Sequence, residues 1–484
     1  MNEVVLNELP DSWEWTKLGD VVTKIIGGGT PSKNKPQYWE GDIPWLTVKD
    51  MRSRRPADAM DHISEKAVQE SSTNIIPEDT VIIATRIGLG KVIRVPYMAA
   101  INQDLKALIL PSEVEKGYLE YWFVSKTNYL ESIGSGTTVK GIRLEQVRNL
   151  DFPLAPLEQQ KRIVAKIEEL FSHIDAGIEA LKKAKQLLKQ YRQSVLKAAV
   201  TGELTKEWRE ANKDKLEPAS QLLERILKER RQKWEAQRLE QFKAKGKIPT
   251  NDKWKAKYKE PVVPDATELP NLPDEWLWSG FEQVSSPEKN GMKAGPFGSA
   301  LKKQFYVEKG YKIYGQEQVI NNAPYFGDYY IDEEKYQSLI NCAVKPGDFL
   351  ISLVGTIGRT LVLPEGIEPG IINPRLIKIT FDKKLCMPEY VQLYVASPAA
   401  KQIFRLSSHG GTMDVLNMGT LKALPLPLPP VSEQKAIVES VKEKEDAIVR
   451  QLNYIDNQMH LIEKSKQSIL ASAFSGKLER FKWQ

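Results

Sequence analysis

The sequence predicts an α+β protein in which two globular heads of mixed helix and strand follow one another along the chain, separated by two long helices. Three observations carry this prediction. The first is a helical pattern that occurs twice. From Pro156 the chain reads Pro-Leu-Glu-Gln-Gln-Lys-Arg-Ile-Val and continues with Ile167, Leu170, Ile174, Ile178, Leu181, Ala184, Leu188, Tyr191 and Val195. These steps of three and four are the period of an amphipathic helix. The run closes on Ser194-Val-Leu-Lys-Ala-Ala-Val-Thr-Gly202-Glu-Leu204, and a second copy begins at Pro430-Val-Ser-Glu-Gln-Lys-Ala-Ile-Val and closes on Ser468-Ile-Leu-Ala-Ser-Ala-Phe-Ser-Gly476-Lys-Leu478. The second observation is register. Gln160, Ile163, Ser194 and Gly202 recur as Gln434, Ile437, Ser468 and Gly476, a constant offset of 274. An element that tolerates no insertion is one whose length matters, and a helix of about 45 residues spans on the order of 65 Å. The third observation is that the flanking sequence is also duplicated, but loosely. Leu9-Pro-Asp-Ser-Trp13-Glu-Trp15 returns as Leu272-Pro-Asp-Glu-Trp276-Leu-Trp278, Pro77-Glu-Asp79 as Pro346-Gly-Asp348, Ile101-Asn-Gln-Asp-Leu105 as Ile372-Asn-Pro-Arg-Leu376, and Gly136-Thr137 as Gly411-Thr412, with offsets drifting from 263 to 275. The heads accept insertions that the helices do not.

Residues 1–155 form the first head. Short β-rich runs such as Thr80-Val-Ile-Ile-Ala-Thr85 and Ala107-Leu-Ile-Leu110 are bounded by Pro, Gly and Asp, and residues 118–130 are patterned as a helix. Two loops are rich in glycine, Gly27-Gly-Gly-Thr30-Pro31-Ser-Lys33 and Arg86-Ile-Gly88-Leu-Gly90-Lys91. Glycine lets a backbone approach a partner closely, and the neighbouring Thr, Ser, Arg and Lys offer donors to phosphates or base edges. Most such turns are only turns, and neither loop fits Gly-x-x-x-x-Gly-Lys-Ser/Thr or Gly-x-Gly-x-x-Gly. Residues 156–204 are the first long helical region, launched by proline and stopped by Gly202. Residues 205–264 hold a charged helix at 221–242 and then a Lys-rich, proline-bounded linker. The second head covers 265–429, with an apolar strand at 349–354, a helix at 388–404 and the loop Lys293-Ala-Gly295-Pro-Phe297-Gly298-Ser299. Residues 430–484 are the second long helical region.

Composition sets the outer bounds. A chain of 484 residues exceeds one hydrophobic core, and its 41% hydrophobic content is that of an ordinary folded protein. No apolar run of about 18 residues and no basic-then-apolar start is present, so neither a membrane span nor a signal peptide is expected, and the expected location is the cytoplasm. Cys342 and Cys386 stand in apolar surroundings and are expected to be reduced, buried thiols. The net charge of +6 is unevenly spread: residues 206–259 contain 17 Lys or Arg against 9 Asp or Glu, so the remainder is close to neutral. That segment either lies against a polyanion or an acidic protein surface, or is a solvated helix face.

Catalytic patterns are missing. His62, His173, His409 and His460 are scattered with no partner at metal-site spacing, and no Ser-His-Asp or Cys-His arrangement stands out. Asn373-Pro374-Arg375 is the nearest approach to a methyltransferase tetrapeptide and lacks both the second proline and the aromatic residue. The balance favours binding or scaffolding over catalysis.

At this point the chain resembles, over essentially its whole length, the specificity subunit of type I DNA restriction-modification enzymes. The resemblance rests on the duplicated helix starts (Pro156 to Val164, Pro430 to Val438) and ends (Ser194 to Leu204, Ser468 to Leu478), and on Gly29-Thr-Pro31 followed by Tyr38-Trp39-x-Gly41-x-Ile43-Pro44-Trp45. It implies two target-recognition domains separated by conserved helices that form an antiparallel coiled coil. It also implies a non-catalytic role in reading double-stranded DNA, and assembly with two methylation subunits and two restriction subunits. S-adenosylmethionine, ATP and magnesium would belong to those partners, with no cofactor on this subunit. The second head lacks the Gly-Thr-Pro and Tyr-Trp parts of the signature.

Two related heads with different loops would read two different half-sites of one duplex, an asymmetric bipartite target with an unread gap. In head one the candidate DNA contacts are Thr30, Ser32, Lys33, Lys49, Arg86, Lys91, Thr137, Thr138 and Lys140; in head two they are Lys293, Ser299, Lys302, Gln316, Arg359, His409 and Thr412. Arg86 and Arg359 stand out because each flanks an Ile-Gly pair and arginine can pair bidentately with guanine. Two other classes stay open on sequence alone. One is a cryptic methyltransferase, disfavoured by the absent cofactor motifs; the other is a coiled-coil scaffold whose heads bind ligands other than DNA.

Overall fold

The computed structural model describes residues 8–136, 140–246, 249, 251–353, 358–406 and 417–478. The duplicated pattern forms two helices, Leu157–Val200 of 44 residues and Val431–Ala473 of 43. The chain divides into two compact units, Met1–Ala184 with Tyr454–Gln484, and Lys185–Asn453. Each unit therefore owns the start of one long helix and the end of the other. In the first unit Lys466 pairs with Asp175 at 2.5 Å, and in the second Arg192 pairs with Glu445 at 2.7 Å. Residue numbers rise along one helix as they fall along the other, so the helices pair antiparallel in both units.

The repeated start of each helix is a fastening. Pro156 and Pro430 precede the first turn, and their carbonyls accept its first backbone N–H groups. Gln160, fully buried, donates from Nε2 to the carbonyls of Ala155 (2.7 Å) and Glu113 (3.2 Å) and accepts at Oε1 from the Glu115 N–H at 2.8 Å. Gln434 repeats this with Pro429 (2.9 Å), Leu385 (2.8 Å) and Met387 N–H (2.8 Å). One residue earlier, Gln159 accepts from the Trp13 indole at 2.6 Å and Glu433 from the Trp276 indole at 2.8 Å. Tyr118 and Tyr390 complete the copies, each donating its hydroxyl at 2.8 Å to the carbonyl of Pro153 or Pro427.

The far ends are fastened too. Gly202 and Gly476 take left-handed φ values of +80° and +70°, and a Cβ at either would lie 2.5 Å from Pro273 or 2.2 Å from Pro10. Those prolines belong to the repeated Leu-Pro-Asp, so glycine is required for both its conformation and its lack of bulk. The core of the first unit accordingly joins Trp13, Tyr118, Trp122 and Phe152 to Ile163, Ile167 and Leu170 of one helix and Leu470 and Phe474 of the other. The second joins Trp276, Phe281, Tyr390 and Tyr394 to Leu196, Ala199, Ile437 and Val441.

Head one carries β1 (Glu14–Lys17), β2 (Lys24–Gly27), β3 (Ile43–Leu46), β4 (Asp61–Ile63), β5 (Asn74–Ile76), β6 (Val81–Ala84), β7 (Val92–Arg94), β8 (Ala99–Ile101), β9 (Leu105–Ile109) and β10 (Asp151–Leu154). They form an antiparallel sheet β2-β9-β6-β7, a mixed sheet β4-β3-β8-β5 with β3 parallel to β8, and a ribbon β1-β10 beside the helix root. Head two carries β11 (Leu277–Gly280), β12 (Met292–Ala294), β13 (Tyr311–Tyr314), β14 (Tyr330–Ile331), β15 (Phe349–Ser352), β16 (Thr360–Val362), β17 (Gly370–Ile372), β18 (Leu376–Ile379) and β19 (Pro425–Leu428). Its sheets are β12-β18-β15-β16, β14-β13-β17 with β13 parallel to β17, and β11-β19. The plan is the same, except that a single bridge, Ala343 to Ile371, stands where head one has β5.

Two expected helices are each broken into two. Residues 118–130 fall in Lys116–Ser125 and Thr127–Ile133, separated at Lys126, whose ψ of 3° leaves the helical region. Residues 388–404 fall in Pro388–Ala396 and Pro398–Leu406. Pro398 cannot donate a backbone hydrogen bond and forces Ser397 into extended backbone, with ψ at 153°.

The charged helix, Ala219–Ala244, packs Leu223 and Ile226 into the core of the second unit. Its Arg230 donates to Asp382 at 2.9 Å and to the Gln283 carbonyl at 2.8 Å. The Lys-rich stretch after it folds back. Trp254, in the short helix Asp252–Lys257, stacks on Trp234 at 6.1 Å, and Tyr258 packs on Trp234 at 5.3 Å. Cys342 and Cys386 are both free and buried, and burial pushes both thiols up. Among the described residues no helix is long and apolar enough to cross a membrane.

Candidate nucleic-acid interface

In each head the loops that leave β2 or β12, β3 or β13, β6 or β15, and β8 or β17 gather at one edge, where the two sheets are tied together. In head one, Gly28 lies against the Ile101 carbonyl, where a Cβ would be 1.8 Å away. Thr30 donates to Gln103 at 2.5 Å, Thr85 N–H to the Asp104 carbonyl at 2.8 Å, and Arg86 lies 3.6 Å from the Asp104 carboxylate. Arg86 is also bridged to Gly141, next to Lys140. In head two, Gly295 lies against the Asn373 carbonyl with the same 1.8 Å limit. There Gln316 donates to Ser352 at 2.8 Å and accepts from Arg375 at 3.2 Å, and Leu353 N–H donates to the Arg375 carbonyl at 3.0 Å.

Backbone hydrogen bonds give the register between the heads. Asn102 N–H to Leu46 matches Asn373 N–H to Tyr314, and Ala84 N–H to Lys91 matches Ser352 N–H to Arg359. Gly90 and Gly358 share φ values of +81° and +79°. This corrects the pairing of Arg86 with Arg359 read from the two Ile-Gly pairs. Arg359 is the counterpart of Lys91, because the backbone bonds set Gly90 rather than Gly88 opposite Gly358, and the position matching Arg86 lies outside the described residues. Ile87, half exposed, takes a φ of +50°, a conformation that costs a β-branched residue strain and is concentrated at functional loops.

Electrostatics differ between the two edges. In head one burial pushes the Lys106 ammonium down, opposed by Asp104 and assisted by Arg86. Its Nζ is spent on the carbonyls of Gln103 and Leu105 at 2.8 and 3.0 Å. In head two the exposed edge carries Arg359 and Arg375, and among the described residues no carboxylate pairs with either.

The family model described as "Type I restriction modification DNA specificity domain" matches residues 10–188 and 297–469. The chain belongs to that family. It is 31% identical to the type I restriction enzyme MjaIX specificity subunit of Methanocaldococcus jannaschii over 193 residues, which are 39% of this chain and 44% of that protein. The chain thus matches less than half the length of that relative. With the type I restriction enzyme EcoBI specificity subunit of Escherichia coli it shares 26% identity over 479 residues, 98% of this chain and 88% of that one. A solved chain from work on complex assembly and conformational transition of the type I R-M system superimposes with a TM-score of 0.64, at 17% identity, over 98% of this chain and 100% of its own. That likeness is one of fold.

Within this specificity-domain chain, the residues singled out from the sequence are not all brought together. Thr30, Ser32 and Lys33 are exposed on the loop after β2, Lys49 on the loop after β3, and Arg86, Lys91 and Lys140 on the loops beside them. Gln316 and Arg359 lie at the corresponding edge of head two. Lys293 sits within β12, half buried opposite Lys378, while Ser299 and Lys302 are exposed around two short turns, Gly298–Ala300 and Lys303–Phe305. Thr137, Thr138, His409 and Thr412 lie outside the described residues. The sequence reading passed over Gln103, Asp104, Ser352 and Arg375. The signal was there: the repeat aligns Asn-Gln-Asp104 with Asn-Pro-Arg375, an inversion of charge at one position.

Proposed function

We propose that this chain is the DNA-reading subunit of a type I restriction-modification complex, with head one and head two each recognising one half of an asymmetric bipartite target in double-stranded DNA. The observation that carries the proposal is the combination of one plan used twice with different side chains at matched loop positions, on helices of nearly equal length, 44 and 43 residues. Each head inspects base edges through the loops gathered at its sheet edge, and phosphate contacts from the flanking lysines fix its register. The chain contributes no catalysis. It positions two methylation subunits and, for cleavage, two restriction subunits in the cytoplasm, and S-adenosylmethionine, ATP and magnesium are held by those partners.

The test is to assemble the chain with its methylation partners and select from randomised duplexes while mapping modified bases. One bipartite motif with a fixed gap is expected. Inserting seven residues into the middle of both long helices adds about 10 Å of helix and should widen the gap by about three base pairs. Placed mid-helix, the insertion leaves undisturbed the helix end at Gly202, which is fastened against Pro273. An unchanged gap would refute the view that the length of the long helices sets the gap; a failure to retain any sequence would leave a scaffold that does not read DNA.

A further inference from the structure

We infer that Arg375, steadied by Gln316 and Ser352, is the principal base-reading side chain of head two, and that Asp104, Val48 and Ala84 at the matched positions of head one make the two half-sites different. The inference rests on the DNA-reading function proposed above. Hydrogen-bond and strand register fixes the three matches. Thr85 N–H to Asp104 corresponds to Leu353 N–H to Arg375, and Asn102 Oδ1 accepts from Asp104 N–H at 3.1 Å as Asn373 Oδ1 accepts from Arg375 N–H at 2.9 Å. The turn after β3, closed by Thr47 N–H on Asp50 at 2.7 Å, corresponds to that after β13, closed by Gly315 N–H on Gln318 at 2.8 Å, which places Val48 opposite Gln316. The strand pairs Ala84–Leu105 and Ser352–Leu376 place Ala84 opposite Ser352.

On this shared frame head two builds a polar row and head one does not. The buried Ser352 hydroxyl accepts from Gln316 Nε2, which turns Gln316 Oε1 toward Arg375 Nη1 at 3.2 Å. One donor of the guanidinium is thereby used for orientation, and the rest of the fork stays available on an exposed residue. Arginine held in this way matches the O6 and N7 acceptors of guanine in the major groove. In head one the same backbone site carries Asp104, only 7% exposed, whose carboxylate accepts from Asn102 at 3.2 Å and lies beside Arg86. A carboxylate cannot serve as a donor to guanine. It holds an arginine from the neighbouring loop instead, while Val48 and Ala84 leave an apolar wall. The two heads thus offer their guanidinium groups from different loops of one frame.

The experiment uses the full chain assembled with its methylation partners and selection from randomised duplexes. Arg375→Ala should relax the preference at one base pair of one half-site by about tenfold to hundredfold, with the other half-site unchanged. Gln316→Val and Ser352→Ala should relax the same base pair more weakly. Unchanged preference at the other base pairs of the same half-site reports that head two, which lies in its own compact unit, is folded. Uniform loss across all sequences, with the salt slope falling by about one, would make Arg375 a phosphate contact and overturn the assignment. Unaltered specificity would overturn it as well. If the wild type selects a bipartite motif, the DNA-reading function stands whichever result follows; if the wild type selects nothing, both fall.

Discussion

Replacing Gln434 by alanine is expected to loosen head two from its long helix while leaving the first unit intact. Gln434 is fully buried and makes three hydrogen bonds, to Leu385, Met387 and Pro429, all with backbone groups. Alanine keeps none of them and leaves one N–H and two carbonyls without that partner in a buried site. A buried polar group left unpaired costs about 1–3 kcal/mol, and with partial relaxation the set should cost about 3–5 kcal/mol. That is a large fraction of a domain stability of about 5–15 kcal/mol. Because the chain has two units, a single unfolding midpoint would mix them. Hydrogen exchange read by mass spectrometry separates them, with the Met387 amide as the local reporter in unit two and the Glu115 amide in unit one. In Gln434→Ala the Met387 segment should exchange at least about 100-fold faster while the Glu115 segment keeps its protection. Gln160→Ala should do the reverse. Acceleration of less than about tenfold, or equal acceleration in both units, would refute the view that these glutamines fasten each head to its own helix.

The remaining predictions concern the loops and one buried carboxyl. Gly28→Ala and Gly295→Ala each drive a Cβ to 1.8 Å from a backbone carbonyl, a clash that costs about 1–3 kcal/mol. Each should weaken recognition of its own half-site by about tenfold or more in a selection assay, and an effect on the opposite half-site would count against the assignment of loops to heads. Burial pushes the Glu433 carboxyl above its ordinary value of 4.5, against the hydrogen bonds from Thr205 and Trp276 and the charge of Arg209. The unfolded chain therefore ionises first, so the stabilising contribution is complete below pH 4.5 and is lost as pH rises through the folded value. The stability of wild type relative to Glu433→Gln should fall across that window, measured by denaturation at a series of pH values. A rise would mean that the Arg209 attraction outweighs burial.

The sequence by itself determined the two long helices, their closely matched length and their proline starts and glycine ends. These follow from periodicity and a constant offset, properties that need no knowledge of what lies across space. It also determined that two heads share one plan, because Leu-Pro-Asp-x-Trp and Ile-Asn-x-x-Leu recur in order. Tertiary structure decided what those motifs are for. Gln160 and Gln434 fasten helix to head because the loops at Glu113 and Leu385 arrive beside them, and no local pattern announces such a meeting. It decided that the Lys-rich stretch folds back, since the stacking of Trp254 on Trp234 depends on a reversal of the chain that composition does not encode. It also decided which loop residues correspond. Where insertions shift the offset, sequence matching equated Arg359 with Arg86, whereas the strand hydrogen bonds equate it with Lys91 and set Arg375 opposite Asp104. A one-dimensional repeat fixes register only where its length is constant; inside the heads, register is fixed by backbone bonds between strands distant in the chain.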